Sequence, residues 1–551
     1  MVGVVTETRL DRDDAPRLTG PGIRQSMSGL HNWAGLLLGW VLYAMFLTGT
    51  VSYFKDELSQ WTRPELPHQV AVPDRAAVAQ RVADELTRTA PGSPQWSMRL
   101  PDARNNSVYA FWRAAPQATG RRGFGEGRFD PVTGREVAAR DTLGGDFFYR
   151  FHFQFHYMSV FWGRLLAGAA AMFMLVAIIS GVITHKKIFA DFFTFRWGKG
   201  QRSWLDAHNA LSVFGLPFHL MITYTGLVTL MAMYVPWGEQ VAIKTPAERQ
   251  ELSAELSAFI QPGKPTGEAA PLASVADMVR QAQERWGPDN VAQVTVTHAG
   301  DAAARVAVAR GEAGRVSMSP QYLEFEGATG RLVDAHEGVG AAAETRGVLY
   351  ALHLGRFGDI VTRWLYFLVS GAGTAMVGTG LVLWTVKRRR HLADPDRPHL
   401  GFRLVERLNI AAIAGLSVAM TAFLWANRLL PLGLAGRADW EIHAFFAAWG
   451  LTLLHAVLRP AKKAWVEQLW AAAALLALLP VVSAITTQRP LWHSLYTGDW
   501  IFAGIDLMLW VLAALHAVLA IRTARHRPAF RPTRRPVREP ARRAAPGEAG
   551  A

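Results

Sequence analysis

Residues 151–187 read FHFQFHYMSVFWGRLLAGAAAMFMLVAIISGVITHKK. His152 and His156 precede an apolar run, 160–183, that reaches the roughly 20 residues a membrane-spanning helix needs, and His185, Lys186 and Lys187 close it. Lys and Arg collect at the cytoplasmic ends of spans, so the stretch carries both a span and its direction, with His152 outside and Lys187 inside. A chain built from such segments is a mainly α, polytopic helical bundle in a membrane.

Working outward, the same pattern recurs at 33–54, 210–235, 364–386, 410–430, 444–458, 469–485 and 501–521, the sixth run of the series being the shortest. About eight spans result, in keeping with a 551-residue chain that is 50% hydrophobic with mean hydropathy +0.10. Arg196, Lys199 and Arg202 join the lysines after the second run; Lys387 to Arg390 follow the fourth, and Arg459, Lys462 and Lys463 the sixth. These ends face the cytoplasm, and an even number of spans puts both termini there. The polar leader with Arg9, Arg12, Arg17 and Arg24 lacks a small-residue cleavage site, so the first run is expected to be a retained span. The net charge of +14 sits in short loops and a tail beside spans, where anionic lipid is a nearer partner than nucleic acid.

The resulting division is a cytoplasmic leader (1–30), span one (31–55), an outer module (56–156), spans two and three with a basic loop (157–235), a second outer module (236–350) and span four (351–390). A linker (391–408), spans five to eight (409–522) and a Pro/Arg-rich cytoplasmic tail (523–551) complete it. The two outer segments look related. Each reads as a helix (76–86; 272–286), two strands (96–100 and 108–112; 291–297 and 305–309) and an aromatic strand entering a Thr-Gly turn, at Thr133-Gly134 and Thr329-Gly330. Glycine supplies the positive φ such turns want, and two small α+β modules are expected.

Five histidines, His31, His152, His156, His208 and His353, stand near the ends of the first four spans of a chain without cysteine. An ionisable group at membrane depth is costly and tends to be kept where it binds or relays something. The motifs around them resemble a known family: His31-Asn32-Trp33-Ala34-Gly35, Thr48-Gly49-Thr50 with Phe54-Lys55-Asp56-Glu57-Leu58, the Asp130-Pro131-Val132-Thr133-Gly134 turn, the His152 stretch with Gly163-Arg164, Trp204-Leu205-Asp206-Ala207-His208-Asn209, and Leu352-His353-Leu354-Gly355-Arg356-Phe357-Gly358. Together, over about residues 20 to 390, they look like the PepSY-associated transmembrane family. That resemblance implies PepSY-like periplasmic modules and an inner-membrane di-haem reductase acting on ferric siderophores during iron uptake.

The residue chemistry is compatible with that expectation. Without cysteine there is no thiolate haem ligand, no cysteine-held iron–sulfur cluster and no covalent haem attachment, so haem b, two copies with a third geometrically conceivable, would be held by histidine or methionine. Two neutral imidazoles fill both axial positions and suit a centre to single-electron transfer. By membrane level, His31 pairs with His208 on the cytoplasmic side. His353 pairs on the outer side with His156 or His152, which at i and i+4 would share one helical face; His156, nearer the membrane, is preferred. His219 lies about 16 Å deeper than His208 along a helix, either as a ligand of a deeper haem or as a polar contact near Pro217. His185 reads as an interfacial histidine. Arg356 and Arg164 are candidate partners for haem propionates, and Gly35, Gly39, Gly163, Gly168, Gly371, Gly373, Gly378 and Gly380 would let a macrocycle or a helix approach closely.

No nucleotide-binding domain is apparent: Gly371-Ala372-Gly373 lies inside an apolar span without a preceding strand. A membrane quinol is therefore the expected donor and a ferric chelate the acceptor. In spans five to eight, His455 with His516 and His443 with His493 approach common levels. The other functional class left open is a ligand-sensing or protease-regulating membrane protein whose histidines are structural.

Overall fold

The structure is a computed structural model describing residues 22–68, 74–113, 123–185, 192–193, 195–196, 198–257, 260, 263–395 and 397–526. Arg9, Arg12, Arg17, Lys186, Lys187 and the tail beyond 526 lie outside the described residues. Among the described residues, six helices are long and apolar enough to cross a membrane, and two bent pairs raise the number to eight if each pair is one span. The first pair is α1 (Ile23–Leu37) and α2 (Gly39–Ser52), bent by 65°. After α3 (Lys55–Trp61), α4 (Arg75–Thr89) and α5 (Gly145–Gln154) comes the straight α6 (Val160–Thr184). The second pair, α7 (Gln201–Phe214) and α8 (Leu216–Thr229), bends by 68° at Gly215, where Pro217 has no N–H to continue the ladder. After α9 (Val275–Trp286) and α10 (Ala341–Leu354), α11 (Ile360–Arg389) is the next span, its first turn capped by Asp359 accepting from the Thr362 N–H at 2.8 Å.

The remaining candidate spans are α12 (Leu400–Ile410), running through a π-helical turn at Ala411–Gly415 into α13 (Leu416–Leu429), then α14 (Arg437–Leu458), α15 (Ala461–Thr487) and α16 (Trp500–Arg525). α14 is 22 residues long, so the run that looked short in the sequence is extended at its start by Arg437, Asp439 and Glu441. Arg437 and Glu441 are fully buried and ion-paired to each other, which lets a charged turn sit inside the protein.

The two segments expected as separate modules form one body. Strands β1 (Gln95–Arg99), β2 (Val108–Arg113), β3 (Phe124–Phe129), β4 (Val291–Thr297), β5 (Arg305–Arg310), β6 (Tyr322–Glu326) and β7 (Leu332–His336) form a single sheet in the order β3-β2-β1-β4-β5-β6-β7. The join is antiparallel pairing of β1 with β4, Trp96 opposite Val296 and Met98 opposite Val294. It hides the edge that each module would otherwise expose. α4 and α9 pack side by side over one face, burying Trp96, Met98, Phe129, Val294, Val306 and Phe325. The Thr-Gly turns form as the sequence requires: Gly134 has φ 72° and Gly330 φ 73°, and each N–H returns to a carbonyl four residues earlier at 2.8 Å.

Candidate functional site

Two pairs of imidazoles face each other. His31 of α1 and His208 of α7 have ring centroids 6.1 Å apart on the side far from the sheet, and His152 of α5 and His353 of α10 have centroids 6.2 Å apart on the sheet side. The structure brings together His31 and His208, which the sequence placed at one level. The preference for His156 is corrected. Helix α5 ends at Gln154, and Phe155 and Tyr157 take φ of 55° and 57°, so the i, i+4 relation to His152 is broken. His156 instead stacks on Phe446 at 5.8 Å and lies against Tyr157.

Each ring is held by one device used four times. His31 Nδ1 lies 2.8 Å from the Ala177 carbonyl, His208 Nδ1 2.9 Å from Met376, His152 Nδ1 2.7 Å from Met45, and His353 Nδ1 3.1 Å from Ile222. A carbonyl can only accept, so Nδ1 carries the proton and Nε2 presents its lone pair. Four residues after each carbonyl stands a glycine: Gly181, Gly380, Gly49 and Gly226. A Cβ there would come within 3.2, 3.1, 2.8 and 2.9 Å of the ring, respectively. The bare backbone gives the imidazole access to a helical carbonyl that any side chain would cover. Burial pushes the His152 and His353 imidazoles below their ordinary basicity, and for His353 the facing His152 adds to it. Both are thus neutral at neutral pH, as a ligating imidazole must be.

The device follows an internal repeat. A shift of 177 positions carries His31-Asn32, Leu38 and Thr48-Gly49 onto His208-Asn209, Gly215 and Thr225-Gly226, superposing both bends. Each pair takes one imidazole from each half. Of the glycines singled out in the sequence, Gly380 receives His208, whereas Gly39, Gly163, Gly168 and Gly378 receive Leu381, the Gln154 backbone, Tyr234 and Tyr43, which is helix packing; Gly35 and Gly371 face no neighbour within 4 Å. The 18-residue interval from His31 to Gly49 recurs from His208 to Gly226 and marks those two seats in the sequence, whereas no such interval marks Gly181.

Next to the sheet-side pair is a cavity of about 360 Å³, lined by Met45, Gly49, His152, Ile222, Gly226 and His353 on its apolar wall. Its polar end carries Arg356 and Arg164, as the sequence suggested, together with Lys55, Arg104 and Arg363. Arg356 pairs with Glu312 at 3.4 Å, Arg164 with Gln154 at 3.3 Å, Lys55 with Asp146 at 2.9 Å and Arg104 with Glu57 at 3.0 Å, while Arg363 bonds Glu57. Burial pushes the Asp56 carboxyl up, but Lys55 and Arg104 outweigh it and hold the group below the usual carboxylate range. The end of the cavity therefore stays charged.

His219 is buried and faces no other imidazole; its ring lies against Phe46 and Phe218. In spans five to eight, His455 bonds Glu467 and Gln468, His443 bonds Tyr157, and His516 bonds the Leu512 carbonyl of its own helix. Those spans instead brace α5, since Phe147 stacks on Phe423 at 4.9 Å and meets Phe445 edge-on at 5.1 Å.

A pair of imidazoles offers too few donors for a tetrahedral zinc site, and among the described residues no group of three or more candidate ligands could hold a metal ion. Two facing nitrogens about 2 Å from a shared iron place their ring centres roughly 6 Å apart, the spacing observed in both pairs. A planar macrocycle supplying the other four donors fits this donor set.

A multi-pass bundle with one fused outer sheet, carrying paired histidines at two depths, defines the class. The chain belongs to the PepSY-associated TM region family, which it matches over residues 28–387. It is also 28% identical over 383 residues to the uncharacterized protein PA4219 of Pseudomonas aeruginosa, a match covering 66% of this chain and 92% of that one.

Proposed function

We propose that the protein is a b-type di-haem electron-transfer enzyme of the bacterial inner membrane that reduces ferric iron, as a ferric siderophore or a similar chelate, at the periplasmic face. The observation that carries the reading is the duplicated bis-imidazole geometry, at 6.1 and 6.2 Å, with every Nδ1 committed to a carbonyl. His31 with His208 would hold one haem and His152 with His353 the other. Bound there, haem would supply reversible one-electron chemistry with no open iron position for oxygen.

The protein's own residues account for the rest. The Nδ1–H bonds fix ring orientation and strengthen Nε2 as a donor. Gly49, Gly181, Gly226 and Gly380 keep the rings seated. Arg356, Arg164, Lys55 and Arg104 would neutralise the propionates at the polar end of the cavity. The sheet lies on the periplasmic side in this reading, with both termini cytoplasmic, and the donor is a membrane quinol, which shares the bilayer with the far-side pair.

The test is the visible spectrum of protein expressed with adequate haem. A Soret band, a reduced α-band and two haem b per chain are expected, and dithionite-reduced protein should be reoxidised by a ferric siderophore. Absence of the Soret band would end the redox reading. Reduced haem that persists with the chelate present would remove the substrate assignment.

A further inference from the structure

His219 is the one buried histidine of the four-span core that the paired geometry leaves unused. It is 1% exposed, its ring lies beside the Val369 carbonyl of α11, and Nε2 has no hydrogen-bond partner. Gly373 follows that carbonyl by four residues and its Cβ would come 2.9 Å from Nε2, so a carbonyl and a glycine again border the ring, here on its Nε2 side and without a facing imidazole.

Its depth is informative. On α8 it stands three residues before Ile222, the carbonyl that holds His353, while on α11 Val369 stands seven residues, about 10 Å, from Met376, the carbonyl that holds His208. His219 therefore lies between the two pairs. The 177-residue shift puts Leu42 at the equivalent place in the first half. A side chain that only fills the bend over Gly215 needs no second nitrogen, as Leu42 demonstrates, and an imidazole buried with one nitrogen unsatisfied is costly to keep.

We propose that His219 is a redox-linked proton acceptor, taking a proton onto Nε2 when iron held by the neighbouring pairs gains an electron. The proposal rests on the haem reading above. In the balanced step, half a quinol would become half a quinone, giving up one electron and one proton; the electron would take one ferric ion to ferrous, the quinol's proton would pass to solvent, and one proton from solvent would form the Nε2–H bond of His219. The groups around the ring are Phe46 from α2, Phe218 of its own helix, which meets Tyr366 of α11 at 5.2 Å, and the Val369–Gly373 backbone. The polar side chains on the adjoining turns are Thr223 of α8 and a hydroxyl cluster in which Thr50 of α2 bonds Ser370 at 2.8 Å and Thr374 at 3.3 Å. Thr223 and Ser370 line the sheet-side cavity, giving a proton a polar approach. No acid or base stands among these groups to mask the electron's charge. At about 10 Å and an effective dielectric near 20, one added charge changes proton affinity by roughly tenfold. Linkage makes the effect reciprocal, so the proton favours reduction.

The experiment is spectroelectrochemical titration of the full chain, loaded with haem, at pH values from about 5.5 to 8.5, for the native protein, His219→Leu and His219→Gln. In the native protein at least one midpoint potential should fall with rising pH, by about 59 mV in total across the titration for a tenfold affinity change coupled to one electron. Both variants should keep both haems and lose that slope; Gln retains polarity and volume but takes no proton, and it reads the effect if Leu fails to fold. An unchanged slope in either variant overturns the proposal. So does loss of one haem in both variants, which would make His219 a ligand. Protein with no Soret band would sink the electron-transfer reading, whereas haem-bearing protein with an unaltered slope sinks this inference alone.

Discussion

The two halves of the four-span core use the same parts with unequal support. Each contributes a bent helix pair with His-Asn in its first helix and Thr-Gly 17 and 18 residues after that histidine, and each adds a second histidine from a short helix on the sheet side. Yet α5 of the first half is wedged among Phe423, Phe445 and Phe446 of the later spans, while α10 of the second half packs on α8 and reaches the sheet through Arg356 and Glu312. Duplication supplies two ligands at each depth; divergence then supplies a brace to one half and an extra imidazole to the other.

The largest expected effect breaks the pairing itself. His31→Leu and His208→Leu should each remove about half the Soret absorbance, belonging to the far-side centre, and His152→Leu or His353→Leu should remove the sheet-side half. His156→Leu should leave both. Haem quantitation together with reduced-minus-oxidised spectra checks this, and equal loss of both centres from every variant would mean that the halves do not form two independent pairs.

A smaller effect sharpens the comparison between depths. Overpacking beside a seated ring costs about 1–3 kcal/mol, and the added Cβ would meet His152 at 2.8 Å and His353 at 2.9 Å, but His208 at 3.1 Å and His31 at 3.2 Å. Gly49→Ala and Gly226→Ala should therefore weaken haem retention at the sheet-side centre more than Gly380→Ala and Gly181→Ala weaken it at the far side. Gly35→Ala, with nothing within 4 Å, is the control. Haem loss to apomyoglobin ranks the five, and a reversed order would show that the contact distances do not govern the seat.

Much of this was legible in the sequence, and the illegible parts have physical reasons. Hydropathy finds the spans because lipid enforces it, and basic flanks order the histidines by depth, which is enough to match His31 with His208. The choice between His152 and His156 depends on whether a helix continues past Gln154, and two residues with positive φ that are not glycine leave no trace in composition. The seats were hidden because a glycine inside a span reads as helix packing, and only the shared interval from His31 to Gly49 and from His208 to Gly226 separates it from Gly39 or Gly168. Fusion of the two modules through β1 and β4 was equally unreadable. Strand patterns mark faces, and which edges meet is settled by the bundle that carries both modules.

The smallest effect separates the two halves of the sheet. Asp301, after β4, accepts the N–H groups of Thr266, Gly267 and Ala303 at 2.8 to 3.0 Å, and the backbone bond from Ala303 leads the contacts that hold its carboxyl well below the usual range. Asp102, after β1, is open to solvent on one side but crowded by surrounding protein, which pushes its carboxyl up, and the backbone bond from Arg104 opposes this without cancelling it. The signs are opposite. A carboxyl depressed on folding contributes stability that is complete above the unfolded value, about 3.9, and is lost as pH falls below it; a carboxyl raised on folding favours the folded state only once it takes a proton. At neutral pH, Asp301→Asn should loosen the loops around Thr266, while Asp102→Asn, mimicking the protonated form, should tighten those around Asn105. Amide exchange near pH 7 and near pH 3 measures both. The two substitutions should differ most at the higher pH and converge in acid, and a loss of protection of the same sign at both sites would remove the distinction drawn between the modules.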